Sequence, residues 1–159
     1  MSTELVGLNS TTPDGDVAVI ASRYNEAICD SLVQGSLKTL REAGLADERI
    51  HVIRVPGAWE LPLVAGTLIH RKSIAGVITL GCVIKGETTH DEHINRSVSD
   101  SLMQLSVATE KPIGFGLLTC NTLEQALQRS GGTVGNKGEE AAEAVLEMLR
   151  LKALLVESQ

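Results

Sequence analysis

Two patterns of apolar positions alternate along this chain: short unbroken runs, and longer stretches with apolar residues three and four apart. DVAVIAS, residues 16–22, is the first run, rich in β-branched residues, and it predicts a strand. RYNEA interrupts it and Asn25 offers an N-cap. Ile28, Leu32, Val33, Leu37 and Leu40 then follow at helical spacing, up to Gly44 at a C′ position. RIHVIRV predicts a second strand, stopped by Pro56 and Gly57. A helix from about Trp59 to Lys72 sets Leu61, Val64, Ala65 and Leu68 on one face. IAGVITLGCVI is apolar nearly throughout, as strands covered on both faces are. A third helix starts near Asp91 and turns Ile94, Val98, Leu102 and Leu105 inward. KPIGFGLLTC is a fourth strand, TLEQALQRS a short helix, GGTVGNKG a connector, and residues 139–156 a last amphipathic helix.

Strand and helix alternate with no repeat and no linker, which predicts one domain built on a parallel sheet with helices on both faces. Such folds bind ligands beyond the carboxyl ends of their strands. The segments expected there are SRYN (22–25), PGAWE (56–60), CVIKGETTH (82–90) and TCNT (119–122).

A length of 159 residues suffices for a buried core, and a hydrophobic fraction of 43% fits a soluble protein. The net charge of −6, with no Lys/Arg stripe, argues against a nucleic-acid partner. No apolar run approaches the roughly 18 residues of a membrane helix. MSTELVGLNSTTPDGD has no basic region followed by an apolar one, so no signal peptide is expected. Cys29, Cys82 and Cys120 form no C-x-x-C and are expected to be reduced, buried thiols in a cytoplasmic protein. Aromatic content is only 2%, so position matters: Tyr24 and Trp59 fall at the ligand edge, where stacking on a flat ring or packing over their own strand ends are both open.

The densest chemistry lies in GETTHDEHINRS, residues 86–97. Glu87 and His90 match Glu-x-x-His metal spacing, with His93 near, but they stand at a strand-to-helix turn rather than on a pair of long helices. An acid–base reading also fits: at a helix start the dipole favours a neutral imidazole, and Thr88, Thr89 and free backbone N–H groups would hold an anion. A charged, capped helix opening with no further role stays open as well. GGTVGNKG lacks the Gly-Lys-Ser/Thr of a phosphate loop and follows a helix. Arg129, before it, could take a phosphate bidentately or be a surface charge. No serine nucleophile elbow and no Cys–His pairing is readable.

Taken together, ASRYNEAI, VPGAWELP, TLGCVIKGETTH, FGLLTCNTLEQALQRSG and GNKGEEAAEA resemble the lumazine synthase family, in order from about residue 17 to residue 150. The resemblance implies a three-layer α/β/α, flavodoxin-like fold with a four-stranded parallel sheet. It implies condensation of 5-amino-6-(D-ribitylamino)uracil with 3,4-dihydroxy-2-butanone 4-phosphate to 6,7-dimethyl-8-ribityllumazine, late in riboflavin biosynthesis, without metal or organic cofactor. By the same resemblance His90 is the general acid/base; Glu87, Thr88 and Arg129 bind the phosphate; and Tyr24, where the family usually has Phe, stacks on the pyrimidine. Asn25, Ala58, Trp59 and Glu60 hold the ring and ribityl chain, and Cys82, Val83 and Ile84 meet the pyrimidine edge through backbone groups. Phe115 closes the pocket, with Lys137 and Glu140 as secondary candidates. The implied assembly is a pentamer or a shell of up to sixty subunits, with riboflavin synthase as a potential associate. A neighbouring subunit would supply Phe115 and Arg129, and residues 1–15 would contact the next subunit, adding an edge strand to its sheet.

This chemistry suits a site with no nucleophile, since the substrate brings its own amine. Two features depart from the family pattern. Asp91 and Glu92 follow His90 where an aromatic and then an acidic residue are usual, and Thr133 replaces a common lysine.

Overall fold

The computed structural model describes residues 2–157. Four parallel strands form its sheet: β1 (Asp16–Ser22), β2 (Ile50–Val55), β3 (Ile74–Ile84) and β4 (Ile113–Cys120), in the order β2-β1-β3-β4. The helices α1 (Glu26–Glu42), α2 (Leu61–Ile69), α3 (His90–Thr109), α4 (Leu123–Arg129) and α5 (Lys137–Glu157) connect and follow them. This is the expected three-layer, flavodoxin-like α/β/α arrangement.

Alternation along β1 divides the core. Val17, Val19 and Ala21 face one side, with Ile28, Leu32 and Val33 of α1 and Ala142, Val145 and Leu146 of α5. Ala18 and Ile20 face the other, with Leu61 and Ala65 of α2 and Val98 and Leu102 of α3. β1 and β3 are central and almost wholly buried, which is why their sequences are nearly continuous apolar runs. On the α5 side, small residues let backbones approach: a Cβ added to Gly138 would lie 2.0 Å from the Leu32 carbonyl oxygen.

Three local expectations change. Asn25 stands at the N-cap position of α1, but its backbone is left-handed (φ 59°) and its side chain caps nothing there. The side-chain amide donates instead to the Cys82 carbonyl at 2.9 Å. The second helix is α2, ending at Ile69, with Ala58–Glu60 forming a separate 3₁₀ turn before it. The Lys111 ammonium donates to the Ile69 and Arg71 carbonyls at 2.8 and 2.9 Å, closing that end from a distant part of the chain. The GGTVGNKG connector contains a small antiparallel ribbon, β5 (Ser130–Gly132) with β6 (Gly135–Asn136), turned through Gly131 and Gly135 at positive φ.

The leading segment lies on its own chain at three points. Gly7 packs against Glu147 of α5, Thr12 Oγ1 donates to the Ala43 carbonyl, and Arg150 Nε donates to the Thr11 carbonyl. Leu5, Val6 and Leu8 are exposed. Among the described residues no helix is long and apolar enough to cross a membrane.

Candidate active site

The carboxyl ends of β1, β2 and β3 open into one cleft of about 390 Å³. Tyr24, just past β1, forms one wall. Pro56, Gly57, Ala58 and Trp59, just past β2, form another, and Cys82, Val83 and Ile84 at the end of β3 form the floor. Gly86, Thr88, His90, Asp91 and Ile94 complete it from the loop and first turn of α3. Every wall therefore comes from a strand-end segment, where a parallel sheet places a ligand.

Tyr24 and Trp59 are 73% and 58% exposed, far more than large aromatic rings in a core. Their faces are free to stack on a flat ligand. Pro56 and Gly57 end β2, and the Gly57 N–H donates to Glu60 Oε2 at 3.0 Å, which fixes the 3₁₀ turn that presents Trp59. The Asn25–Cys82 hydrogen bond ties the β1 loop to the end of β3, so two walls are held in register. His90 is the first residue of α3, and Thr89 at the N-cap position makes no capping hydrogen bond with its side chain. The His90 N–H does reach Thr88 Oγ1, at 3.4 Å. The His90 N–H is thus engaged by Thr88 and the Glu92 N–H by the Thr89 carbonyl at 3.1 Å, so what this helix start offers an anion is chiefly the dipole of α3 and the Thr88 hydroxyl.

The predicted residues divide into two groups. Tyr24, Ala58, Trp59, Cys82, Val83, Ile84, Thr88 and His90 converge on the cleft. Asn25, Glu60, Glu87, Phe115, Arg129 and Lys137 do not line it. Asn25 and Glu60 act on its backbone, as described. Glu87 is exposed on the loop. Phe115 is 43% exposed on β4, the edge strand. Arg129 ends α4, its guanidinium donating to the Gln125 carbonyl at 3.1 Å. Lys137 pairs with Glu140 at 3.2 Å in the first turn of α5.

Asp91 and Ile94 line the cleft although no motif marks them. Ile94 is detectable from spacing, being four residues from His90 and so on its face of the helix. His93 faces elsewhere and is exposed. Among the described residues, no three His, Cys, Asp or Glu side chains come together as a group that could hold a metal ion.

The three thiols belong to the α1/α5 side of the core, Cys82 at the floor of the cleft and Cys29 and Cys120 outside its lining. Burial pushes the Cys82 thiol up to about 12, reinforced by Cys29 and Cys120. Burial raises Cys29 and Cys120 as well. The floor of the cleft thus offers protonated, weakly nucleophilic sulfur. His51 pairs with Asp16 at 2.8 Å across β2 and β1, at the amino ends of the strands. That pair is at the opposite end of the sheet from the cleft.

The family model described as 6,7-dimethyl-8-ribityllumazine synthase matches residues 14–153. A relative from Rhodopirellula baltica, named 6,7-dimethyl-8-ribityllumazine synthase, is 61% identical over 146 residues, covering 92% of this chain and 94% of its own. A protein of the same name from Stenotrophomonas maltophilia is 47% identical over 134 residues, covering 84% of this chain and 86% of its own.

Proposed function

The chain belongs to the 6,7-dimethyl-8-ribityllumazine synthase family, and from that premise we propose that it condenses 5-amino-6-(D-ribitylamino)uracil with 3,4-dihydroxy-2-butanone 4-phosphate. The products are 6,7-dimethyl-8-ribityllumazine, phosphate and water, in the penultimate step of riboflavin biosynthesis. The observation that carries this reading is the convergence of two exposed aromatic rings, the start of α3 and His90 on one cleft.

In this reading the pyrimidine stacks against Tyr24 and Trp59, its edge facing the backbone of Cys82, Val83 and Ile84. The phosphate of the four-carbon substrate sits at the start of α3, by Thr88. The uracil's 5-amino nitrogen attacks the ketone carbon. His90 moves protons as the carbinolamine loses water to an imine and as phosphate leaves, a role typically worth ~10²–10⁴-fold. The protein supplies no covalent nucleophile, in keeping with thiols held protonated. Holding two polar molecules in register supplies much of the rest, roughly 7–11 kcal/mol in favourable cases.

Phosphate departure calls for a fixed cation. Arg129 fills that role in this proposal, supplied with Phe115 by a neighbouring subunit of a pentamer, alone or built into a larger shell, in the cytoplasm. The exposed apolar residues on the β4 and α4 flank, Phe115, Leu123 and Leu127, support burial of that flank against another copy.

The test is a spectrophotometric assay with both substrates, following the lumazine chromophore, on the wild type and Arg129→Ala. Turnover by the wild type that collapses in the variant at low butanone phosphate supports synthase and phosphate clamp together. A wild type that binds lumazine or riboflavin but forms no product makes it a binding protein on the same scaffold. Product formation that is indifferent to Arg129 removes the clamp from the scheme.

A further inference from the structure

Resting on the synthase reading, we propose that Asp91 is a specificity-determining residue, accepting a hydrogen bond from an N–H or O–H donor of the pyrimidine substrate. Asp91 lines the cleft beside His90, yet its Oδ1 is buried and meets no donor. Asn95, four residues on and therefore on the same face of α3, carries a second buried Oδ1 in the same condition. These are the buried side-chain polar atoms left without a hydrogen-bond partner among the described residues, and they are one helical turn apart. Buried acceptors are nearly always satisfied, because leaving one unmade costs about as much as a hydrogen bond is worth. Of the two, Asp91 lines the cleft, and its unmade acceptor marks the place of a donor that arrives with the ligand.

The chemistry selects which substrate brings that donor. The butanone phosphate is an anion with a single free hydroxyl, which makes it the poorer source of a donor for a carboxylate. The ribitylaminouracil carries ring N–H groups, two amino groups and a hydroxylated chain, and no phosphate. Residues 90 and 91 point about 100° apart around α3, so Asp91 need not compete with His90 for the reacting atoms. It reads the substrate while His90 moves protons.

The experiment compares wild type, Asp91→Leu and Asp91→Asn for KM of each substrate, kcat and melting temperature, with calorimetric titration of the ribitylaminouracil alone. Asp91→Leu is expected to raise KM and Kd for the ribitylaminouracil by about 10- to 100-fold, the loss of a charge-assisted hydrogen bond. KM for butanone phosphate should stay within about twofold. Asp91→Asn, which keeps an acceptor without the charge, should fall between. Removing an unpartnered acceptor relieves its burial cost, so Asp91→Leu should melt no lower than the wild type. An unchanged KM and Kd for the ribitylaminouracil, or a lower melting temperature as the sole effect, overturns the proposal and leaves Asp91 a structural residue. The synthase reading fails separately: a wild type that binds ribitylaminouracil through Asp91 but makes no product sinks that reading and leaves this one standing.

Discussion

Replacing Gly138 by alanine should destabilise the protein although it improves local helix propensity. Gly138 lies in the first turn of α5, where an alanine would ordinarily stabilise by up to ~1 kcal/mol. Here the added Cβ falls 2.0 Å from the Leu32 carbonyl oxygen and 2.7 Å from its carbon, against the 3.0 Å below which real contacts are essentially absent. Both are backbone atoms of α1, so no rotamer change can clear them, and the helices must separate by about 1 Å. The same movement stretches the buried 2.8 Å hydrogen bond from Ser36 Oγ to the Gly138 carbonyl. Overpacking typically costs about 1–3 kcal/mol and the lost hydrogen bond about 1 kcal/mol, leaving a net loss of about 2 kcal/mol after the propensity gain. For a chain of this size that lowers the melting temperature by roughly 4–8 °C. Gly66, inside α2, is the control: the nearest atoms to its added Cβ are Leu105 methyls at 3.7 Å, an ordinary contact. Gly66→Ala should melt as the wild type does or a few degrees higher. Circular-dichroism melts at one fixed protomer concentration make the comparison fair, since association also moves the midpoint. If Gly138→Ala melts at or above the wild type, or Gly66→Ala falls as far, the close-approach reasoning is refuted.

His90→Gln should cut kcat by ~10²–10⁴ with little effect on the KM of either substrate, and mixing it with Arg129→Ala subunits should restore activity if the two residues serve one site from different chains. No recovery in co-refolded mixtures would put both residues in the same subunit's site. Deleting residues 1–12 removes the Gly7, Thr11 and Thr12 contacts with α5 and the end of α1 and should shift sedimentation toward smaller species; an unaltered boundary would count against any role in assembly. Because the Cys82 thiol is raised to about 12, the folded state keeps a proton that the unfolded chain releases from about pH 9 upward. Its stabilising contribution is present below pH 9 and declines as pH rises toward 12, by at most about 1.4 kcal/mol per unit. Urea unfolding at pH 8, 9 and 10 should therefore show a shallower decline for Cys82→Ala than for the wild type, and parallel declines would contradict this.

Where burial is two-sided, the fold is legible from the sequence. β1 and β3 coincide with the largely apolar runs 16–22 and 74–84, because a strand covered on both faces admits a polar residue only with a partner, as Thr79 donates to the Gly114 carbonyl at 2.9 Å. Where a tertiary contact ends or redirects an element, the local pattern misleads. The end of α2 is set by Lys111, some forty residues away, and Asn25 forgoes its cap to bind the Cys82 carbonyl across the sheet. The β5–β6 ribbon is too short and too rich in glycine to leave a period-2 signal.

The site follows the same division. Residues that line the cleft stand immediately past strand ends, so finding the strands finds Tyr24, Trp59, Thr88 and His90 without knowledge of any contact. Phe115 and Arg129 are on the edge strand and the helix beyond it, and one chain's topology does not bring them to the cleft. The proposed reaction draws them in only through a second copy closing over the β4 flank, which periodicity along one chain does not encode. Asp91 illustrates a third kind of residue. Its sequence position beside His90 suggests only added charge, whereas its meaning lies in a buried oxygen without a donor. An acceptor left unmade in the free protein costs stability that ligand binding can return, and a mutation there should separate binding from folding. That separation distinguishes a residue kept for its ligand from one kept for the fold.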